Sequence, residues 1–200
     1  MVTKYEYTQI PPDTLETLST NAGMLVDEFD PETRVIGKQL GATSGGVNLG
    51  AVPSFVDKGE DIDNCPKNTA ELKDIGSWEC KISGTFVTIN ADSMKFLLAA
   101  AAQTGKKIVP GMRLNISDFK DLWYICDYGE GGFIAVNMLR VLSTGGLSIQ
   151  TTDKNKAKFA FEFTGHYSIK AQGVVPMEFY VDGTPKDNAG TEEEPIDETV

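Results

Sequence analysis

Apolar and polar residues alternate along the segment from Lys158 to Lys170. Because successive side chains of a β-strand point to opposite faces, this pattern predicts a long strand with one buried face and one solvent-facing face. A strand with one wet face is typical of an antiparallel sheet. Phe159, Phe161 and Phe163 share the apolar face, and each large side chain that becomes fully buried contributes about 1.5–3 kcal/mol. Much of the core is therefore expected to form around this segment.

Several other segments have strand patterns, and a single segment favours a helix. The predicted strands are residues 22–29, 34–40, 78–90, 113–116, 119–127, 133–142, 147–152 and 174–181. Residues 143–146 (STGG) predict a hairpin turn between two of these strands, since glycine adopts positive φ at low cost. The helix is expected over residues 92–103, with Asn90 or Asp92 as its N-cap and Gly105 as its stop signal. Its apolar stripe must cover a sheet or a partner.

These patterns predict a mainly β fold, an antiparallel β-barrel or sandwich with one flanking α-helix. Residues 1–20, which contain Pro11 and Pro12, are interpreted as an N-terminal arm. Residues 21–181 form the β domain. Residues 182–200 hold seven acidic residues and one lysine, and they are interpreted as an acidic tail or arm.

Residues 41–75 have no sustained period and contain five glycines and two prolines. A loop of this length is uncommon in a compact domain unless it is functional or disordered. Apolar residues such as Val47, Leu49 and Phe55 disfavour a solvated linker. The segment is therefore predicted to be a long loop that docks either on its own sheet or on a neighbouring subunit.

Charge and cysteine content narrow the possible functions. The formal net charge is −11, and a chain this acidic is not expected to bind nucleic acid tightly. Cys65, Cys80 and Cys126 lie far apart and accompany a single histidine, His166, so neither a zinc site nor a disulfide framework is expected. The longest apolar runs are too short for a membrane span, and the first ten residues lack the apolar segment of a secretion signal.

Motif searches do not favour an enzyme. The sequence lacks the nucleophile-elbow, zinc-protease and phosphate-loop patterns, and His166 is interpreted as a structural residue. Asp57, Glu60, Asp61, Asp63 and Asn64 form an acidic cluster that could offer oxygens to calcium, but the calcium-loop spacing is absent. Local hydrogen bonds to the backbone or ion pairs at an interface are the favoured interpretation. No cofactor and no metal are expected.

Five segments resemble the major tail (tail tube) proteins of long-tailed bacteriophages that infect Gram-positive hosts. They are G-A-T-S-G-G-V-N (41–48), G-E-D-I-D-N-C-P-K-N (59–68), D-F-K-D-L-W-Y-I-C-D-Y (118–128), L-S-T-G-G-L-S-I-Q-T (142–151) and F-A-F-E-F-T-G-H-Y-S (159–168). The resemblance spans about residues 20–181 and depends on the order of the segments, because none is a catalytic signature.

The resemblance implies a fold similar to the tube protein of bacterial type VI secretion and a structural role in the virion. Six subunits form a ring, their sheets join into a continuous inner barrel, and stacked rings form the tube through which the genome leaves. The implied partners are further copies of the chain and other tail proteins such as the tape measure and terminator. DNA passes through the lumen without specific binding, no membrane is involved, and assembly takes place in the host cytoplasm.

The long loop and the terminal arms commonly make the contacts between subunits in such proteins. The candidate interface residues in the loop are Gly45, Gly46, Val47, Asn48, Phe55, Asp61, Asp63 and Asn64. Glu162, Thr164 and Ser168, on the polar side of the long strand, are candidates for lining the lumen.

An alternative is a carbohydrate- or calcium-binding β-sandwich module of a virion adhesin. In that case the cluster at 57–64 would hold the ligand, and Trp78 or Trp123 would provide a stacking surface for a sugar. Both tryptophans lie within apolar strand patterns, which favours a core position. An enzyme is the least supported class.

Overall fold

The computed structural model describes residues 10, 11, 14, 18, 19, 21–129 and 131–183. Within these residues the chain forms twelve β-strands and one α-helix, α1 (Ala91–Leu97). The strands are β1 (Met24–Val26), β2 (Phe29–Asp30), β3 (Val35–Ile36), β4 (Thr43–Asp57), β5 (Lys73–Phe86), β6 (Ala101–Thr104), β7 (Lys107–Pro110), β8 (Lys120–Tyr128), β9 (Gly132–Ser143), β10 (Ser148–Gln150), β11 (Lys158–Thr164) and β12 (Met177–Asp182). The predicted class, mainly antiparallel β with one helix, is confirmed.

Two antiparallel sheets share the long strand β9. Sheet 1 has the order β1-β8-β9-β12, and sheet 2 has the order β4-β5-β11, with β10 and the end of β9 both paired to β11. β9 pairs with β8 between Gly132 and Val141 and with β12 between Phe133 and Met138, whereas Leu142 and Ser143 pair with β11. The described strands thus follow an open path from β1 to β4 and do not close into a barrel. Two small hairpins, β2–β3 and β6–β7, lie outside this path.

The main core lies between the two sheets and is built largely by β11. Phe159, Phe161 and Phe163 are buried while Ala160 is exposed, so the predicted alternation is confirmed. Phe161 stacks on Phe86 with ring centroids 4.3 Å apart. Helix α1 covers one end of this core, where Phe96 packs on Phe163 at 4.8 Å. The strand is shorter than predicted, because it ends at Thr164 and the chain then turns away as a loop.

A smaller core lies on the other face of sheet 1. Trp123 and Phe133 pack edge-on against Phe29, which belongs to the β2–β3 hairpin. Arg34 fixes this hairpin to the sheet, because its Nη2 donates to the Asp182 carboxylate at 2.7 Å and its guanidinium lies 5.3 Å from the Phe133 ring centroid. Both faces of sheet 1 are therefore partly covered, as the apolar run of residues 122–126 indicates.

Residues 41–75 are predicted to be a long loop, and the structure shows a β-hairpin instead, although its base does pack on the core of the same chain. Residues 43–57 form β4, and the chain returns through a short 3-10 turn (Ala70–Leu72) into β5. Two register irregularities interrupt the pairing, one between Thr43 and Val47 and one between Ser54 and Phe55. Such bulges interrupt the regular two-residue pattern, and glycine and proline weaken it further, so a regular alternation remains only over residues 47–51.

The predicted helix 92–103 is also too long. The helix ends at Leu97, and Ala99 has a φ of +62°, which terminates helical geometry. Residues 101–104 instead pair with residues 107–110 across a turn at Gly105. Asn90 is the N-cap, as predicted, since its side chain accepts hydrogen bonds from the backbone of Asp92 and Ser93. Alanine-rich composition therefore did not decide the local structure here.

Two smaller predictions fail in the same way. Residues 143–146 do not join β9 to β10 as a hairpin, because β10 pairs with β11 and the Thr144 N–H donates to the Glu162 carbonyl at 2.9 Å. Residues 113–116 do not form a strand, and a 3-10 turn begins at Ile116. In the first case a distant strand supplies the backbone partner, and in the second the bonds are local, since the Asp118 N–H donates to the Asn115 carbonyl at 3.0 Å.

The division of the chain into an N-terminal arm (1–20), a β domain (21–181) and an acidic tail (182–200) remains a prediction. Most of the proposed arm and nearly all of the proposed tail lie outside the described residues.

Candidate assembly interface

The β4–β5 hairpin is longer than the sheet to which it belongs. β11 pairs with β5 only over residues 81–86, whereas β4 and β5 continue to pair as far as Asp57 opposite Lys73. From here on, the arm means residues 53–78 of this hairpin and not the predicted terminal arms, and the base means the remainder of the hairpin. At about 3.3 Å per residue, the two strands of the arm extend about 15 Å beyond the pairing at Trp78.

Large apolar side chains are exposed on the arm. Phe55 and Ile75 lie opposite each other and are 57% and 48% exposed. They continue the face of the hairpin that packs on the core at the base, where Ala51 lies opposite the fully buried Cys80. Trp78, at the start of the arm, still packs against the core, whereas Phe55 and Ile75 lie beyond it, and the Lys73 ammonium lies 5.7 Å from the Phe55 ring centroid. The core face of the hairpin therefore extends past the core.

Local hydrogen bonds hold the tip of the arm in place. The Asp57 carboxylate accepts from the Gly59 N–H at 2.9 Å and from the Asn68 N–H at 3.1 Å. These two backbone donors lower the pKa of Asp57 below its usual value. Lys73 also donates from Nζ to the Asn68 side-chain oxygen at 2.6 Å. The interpretation that an acidic residue of this cluster bonds the local backbone is confirmed for Asp57.

Asp61, Asp63 and Asn64 are exposed at the far end of the arm, in a series of turns. The Ile62 N–H donates to the Gly59 carbonyl at 3.2 Å, and the Cys65 N–H donates to the Ile62 carbonyl at 3.2 Å. Among the described residues no group of three or more His, Cys, Asp or Glu side chains is arranged to hold a metal ion. The shape of the tip therefore follows from backbone turns and from Asp57.

Gly45 and Gly46 lie at the opposite end of the hairpin, in the bulge of β4. Their φ angles are +83° and +82°, a conformation that side-chain-bearing residues rarely adopt. A Cβ atom on either residue would meet nothing within 4 Å, so glycine is favoured here by the backbone conformation and not by lack of space. Val47 follows on the core face and Asn48 on the outer face. The eight candidate residues thus separate into two groups, about 30 Å apart along β4.

The outer face of sheet 2 is polar, as predicted for Glu162 and Thr164. The Thr144 hydroxyl donates to the Glu162 carboxylate at 3.1 Å and lies 2.9 Å from the Thr164 hydroxyl. Lys81 forms an ion pair with Glu79 at 2.6 Å on the same face. A shallow depression of about 260 Å³ is lined by Asn48, Gly50, Val52, Glu79, Lys81, Ser83 and Glu162. Ser168 does not belong to this face, since it lies in the loop after β11.

Sheet 2 has two edges at which the described chain adds no further strand. β4 is the outermost strand on one side. On the other side β10 is outermost beside residues 158–160 of β11, while the end of β9 pairs with residues 163 and 164. Sequence reasoning misses the β4 edge, because glycine and proline break the period over most of residues 41–75 and so favour a loop. The alternation of Val47, Leu49 and Ala51 with Asn48 and Gly50 was the available signal.

Other candidate chemistry is accounted for by structural contacts. His166 Nδ1 lies 3.1 Å from the Arg140 carbonyl, and Arg140 Nε donates to the His166 carbonyl at 2.7 Å. Trp123 is buried and packs on Tyr180, so it offers no surface to a sugar. Trp78 is half-buried at the start of the arm.

A cleft of about 400 Å³ lies beside α1. Its carboxylates already have protein partners. Asp92 pairs with Lys38 and Lys95, and these contacts lower its pKa to about 2. Asp121 accepts a hydrogen bond from the Arg140 N–H at 2.8 Å. This cleft therefore shows ion pairs and hydrogen bonds that position its own elements.

No protein-family model matches the sequence, and no curated protein matches it. Two solved structures are similar in part. The virion of a native gene transfer agent (GTA) particle contains a chain with a TM-score of 0.42 and 10% identity, over 80% of this chain and 95% of that one. The tail of an empty GTA particle with C6 symmetry contains a chain with a TM-score of 0.39 and 11% identity, over 74% of this chain and 92% of that one. Similarities of this size do not decide function.

No helix in the described part of the chain has the length and apolar character needed to span a membrane.

Proposed function

We propose that this chain is a structural virion protein that assembles into hexameric rings, which stack into the tail tube of a bacteriophage. The observation that carries the proposal is the pair of open edges on sheet 2, β4 on one side and β10 on the other. Unpaired strand edges invite pairing with another chain. Two different edges on opposite sides of one sheet give a head-to-tail contact, and such contacts close into rings when the rotation permits.

The strand order suits ring closure. Sheet 2 runs β4, β5, β11, β10, and each neighbouring pair is antiparallel. Because the number of strands is even, a rotation about an axis along the strands places β4 of one copy antiparallel to β10 of the next copy. Ile149, the central residue of β10, is 53% exposed at this edge. The number of six subunits follows from the sequence resemblance.

The polar face of sheet 2 is the natural lining of the lumen, because the opposite face is occupied by the core. It carries two lysines and two glutamates, namely Lys81, Lys158, Glu79 and Glu162. A lining with balanced charge releases few counterions on contact with DNA, so it does not retain the genome. This fits a conduit for genome ejection without specific binding.

The arm provides the contact beyond the ring. Its residues Phe55 and Ile75 are about half exposed, and burying the remaining apolar area on a second copy would stabilise the assembly. The arm extends along the strand direction, and the proposed ring axis has the same direction. It therefore reaches toward an adjacent ring. Other tail proteins, such as the tape measure and the terminator, would be further partners, and the assembled protein would belong to the virion tail.

Replacing the arm tests the proposal. In the variant, an Asn-Gly turn replaces residues 53–78 and joins Val52 to Glu79, which are the next residues of the two strands. We expect wild-type protein to form rings and tubes in negative-stain micrographs, while the variant remains folded by circular dichroism and forms no tubes. Wild-type protein that stays monomeric in sedimentation at high concentration, with tail initiation components present, would overturn the proposal.

A further inference from the structure

Two hydrogen bonds reveal which backbone groups of β4 face its open edge. The Trp78 N–H donates to the Tyr167 hydroxyl at 2.7 Å, and the Cys80 carbonyl accepts from the Gly165 N–H at 3.0 Å. Both partners lie on the β11 side of β5, or in the loop that follows β11. The backbone groups of Trp78 and Cys80 therefore point away from β4.

In an antiparallel pair, residues directly opposite each other alternate between exchanging two hydrogen bonds and exchanging none. Ala51 lies opposite Cys80, and Pro53 lies opposite Trp78. Since neither Cys80 nor Trp78 points its backbone toward β4, both are non-hydrogen-bonded pairs. The N–H and C=O groups of Ala51, and by alternation those of Leu49 and Val47, point out of the sheet. The backbone N–H and C=O groups of Asn48, Gly50 and Val52 form the hydrogen bonds to β5.

Pro53 is the next residue in the outward-facing series, and it has no N–H. The open edge of β4 thus offers donors at Val47, Leu49 and Ala51, followed by a position without a donor. A proline at such a position on an edge strand prevents a further strand from pairing past it.

We propose that Pro53 sets the end of the pairing between copies of this chain. β10 of a second copy pairs with residues 47–51 of β4, and the ladder stops at Pro53. The arm remains two-stranded and separates from the ring of sheets toward its own contact. This inference rests on the proposed function. The second copy is the favoured occupant because the opposite edge of the same sheet is formed by β10, which runs antiparallel to β4.

A pair of proline substitutions at adjacent positions tests the orientation. Ala51→Pro removes a donor that faces outward, whereas Gly50→Pro removes a donor that bonds to β5. We expect Ala51→Pro to melt within a few degrees of wild type while its critical concentration for assembly rises at least tenfold. Gly50→Pro should lower the melting temperature clearly. Ala51→Val adds bulk but keeps the N–H group, and it should assemble like wild type.

Pro53→Ala tests the stop signal, because it restores the missing donor. We expect a critical concentration at least threefold lower than wild type, and irregular edge-to-edge aggregates beside rings in micrographs. Hydrogen exchange gives an independent readout. The amides of Val47, Leu49 and Ala51 should exchange rapidly in the monomer and become protected on assembly.

The outcomes separate the two proposals. If wild-type protein forms rings and Ala51→Pro forms them at the same concentration, the edge inference is wrong and the proposed function stands. Protection of the Ala51 amide already in the monomer would show that another part of the same chain covers the edge, which also overturns the inference. If wild-type protein never assembles, both fail.

Discussion

The base and the arm of the β4–β5 hairpin are made of the same two strands but lie in different surroundings. At the base, Ile82 is fully buried and lies opposite Leu49, and β11 pairs with the far side of β5. At the arm, Ile75 lies opposite Phe55 and both remain about half exposed. The covalent pattern is similar, and the difference is the presence of a second sheet layer. Apolar strand residues therefore stabilise the monomer only where that layer lies above them.

This contrast indicates how stability and assembly are divided along one hairpin. Core contacts at the base are satisfied within the chain, so the fold does not need a partner there. The apolar residues of the arm gain little until a second surface covers them. Substitutions at the base should consequently lower the stability of the monomer, whereas substitutions at the arm should weaken assembly and leave that stability nearly unchanged.

The largest expected effect comes from a matched pair of isoleucines on β5. Ile82→Ala removes fully buried atoms from the core and should lower the free energy of unfolding by about 2–5 kcal/mol. Ile75→Ala should change it by less than about 0.5 kcal/mol, because the side chain is already half exposed. Urea denaturation of both variants measures the difference, and equal losses would show that the arm is covered within the monomer.

Measuring assembly of the Ile75→Ala variant tests the role of the arm directly. Ile75→Ala should raise the critical concentration for tube formation several-fold, since it removes apolar area from the proposed contact. Sedimentation across a concentration series checks this. Unchanged assembly by Ile75→Ala and by Phe55→Ala would remove the arm from the interface.

A smaller effect is expected at the bulge that begins the base. Gly46 has a φ of +82°, and Gly46→Ala should cost about 1–2 kcal/mol because a side chain disfavours this conformation. Gly50→Ala is the control, since Gly50 also has open space at its Cβ position but does not have positive φ. Thermal melts compare the two, and a Gly46→Ala variant as stable as the control would show that the bulge relaxes freely.

The smallest effect concerns the tip of the arm and its dependence on pH. The pKa of Asp57 is lowered in the folded chain, so its contribution to tip order is present above the unfolded value of 3.8 and is lost as the pH falls through the folded value. The Gly59 and Asn68 amides should therefore lose protection from hydrogen exchange below about pH 4, while amides at the base do not.

Asp57→Asn is the control for this titration, because it keeps an oxygen acceptor but has no carboxyl proton to gain. Its tip amides should show no transition in the same pH range. A transition of equal size in the variant would assign the effect to another group.

Much of the fold was predictable because its strands have simple patterns. The alternation at Phe159, Phe161 and Phe163 identified the core strand, and the apolar run of residues 122–126 indicated a strand covered on both faces. Asn90 identified the start of the helix. The candidate interface was less predictable, since the eight residues were assigned to a loop and the structure distributes them over the two ends of one hairpin. Their role in assembly remains a prediction.

The amino-acid sequence by itself determined the class of fold, the core strand and the start of the helix at Asn90. These depend on side-chain spacing within one segment, which is a local property. Only the tertiary structure decided that residues 43–57 form an edge strand, that the helix stops at Leu97, and that Pro53 faces the open side of β4. Each of these depends on which distant backbone groups find a hydrogen-bond partner, and no spacing within a segment encodes that choice.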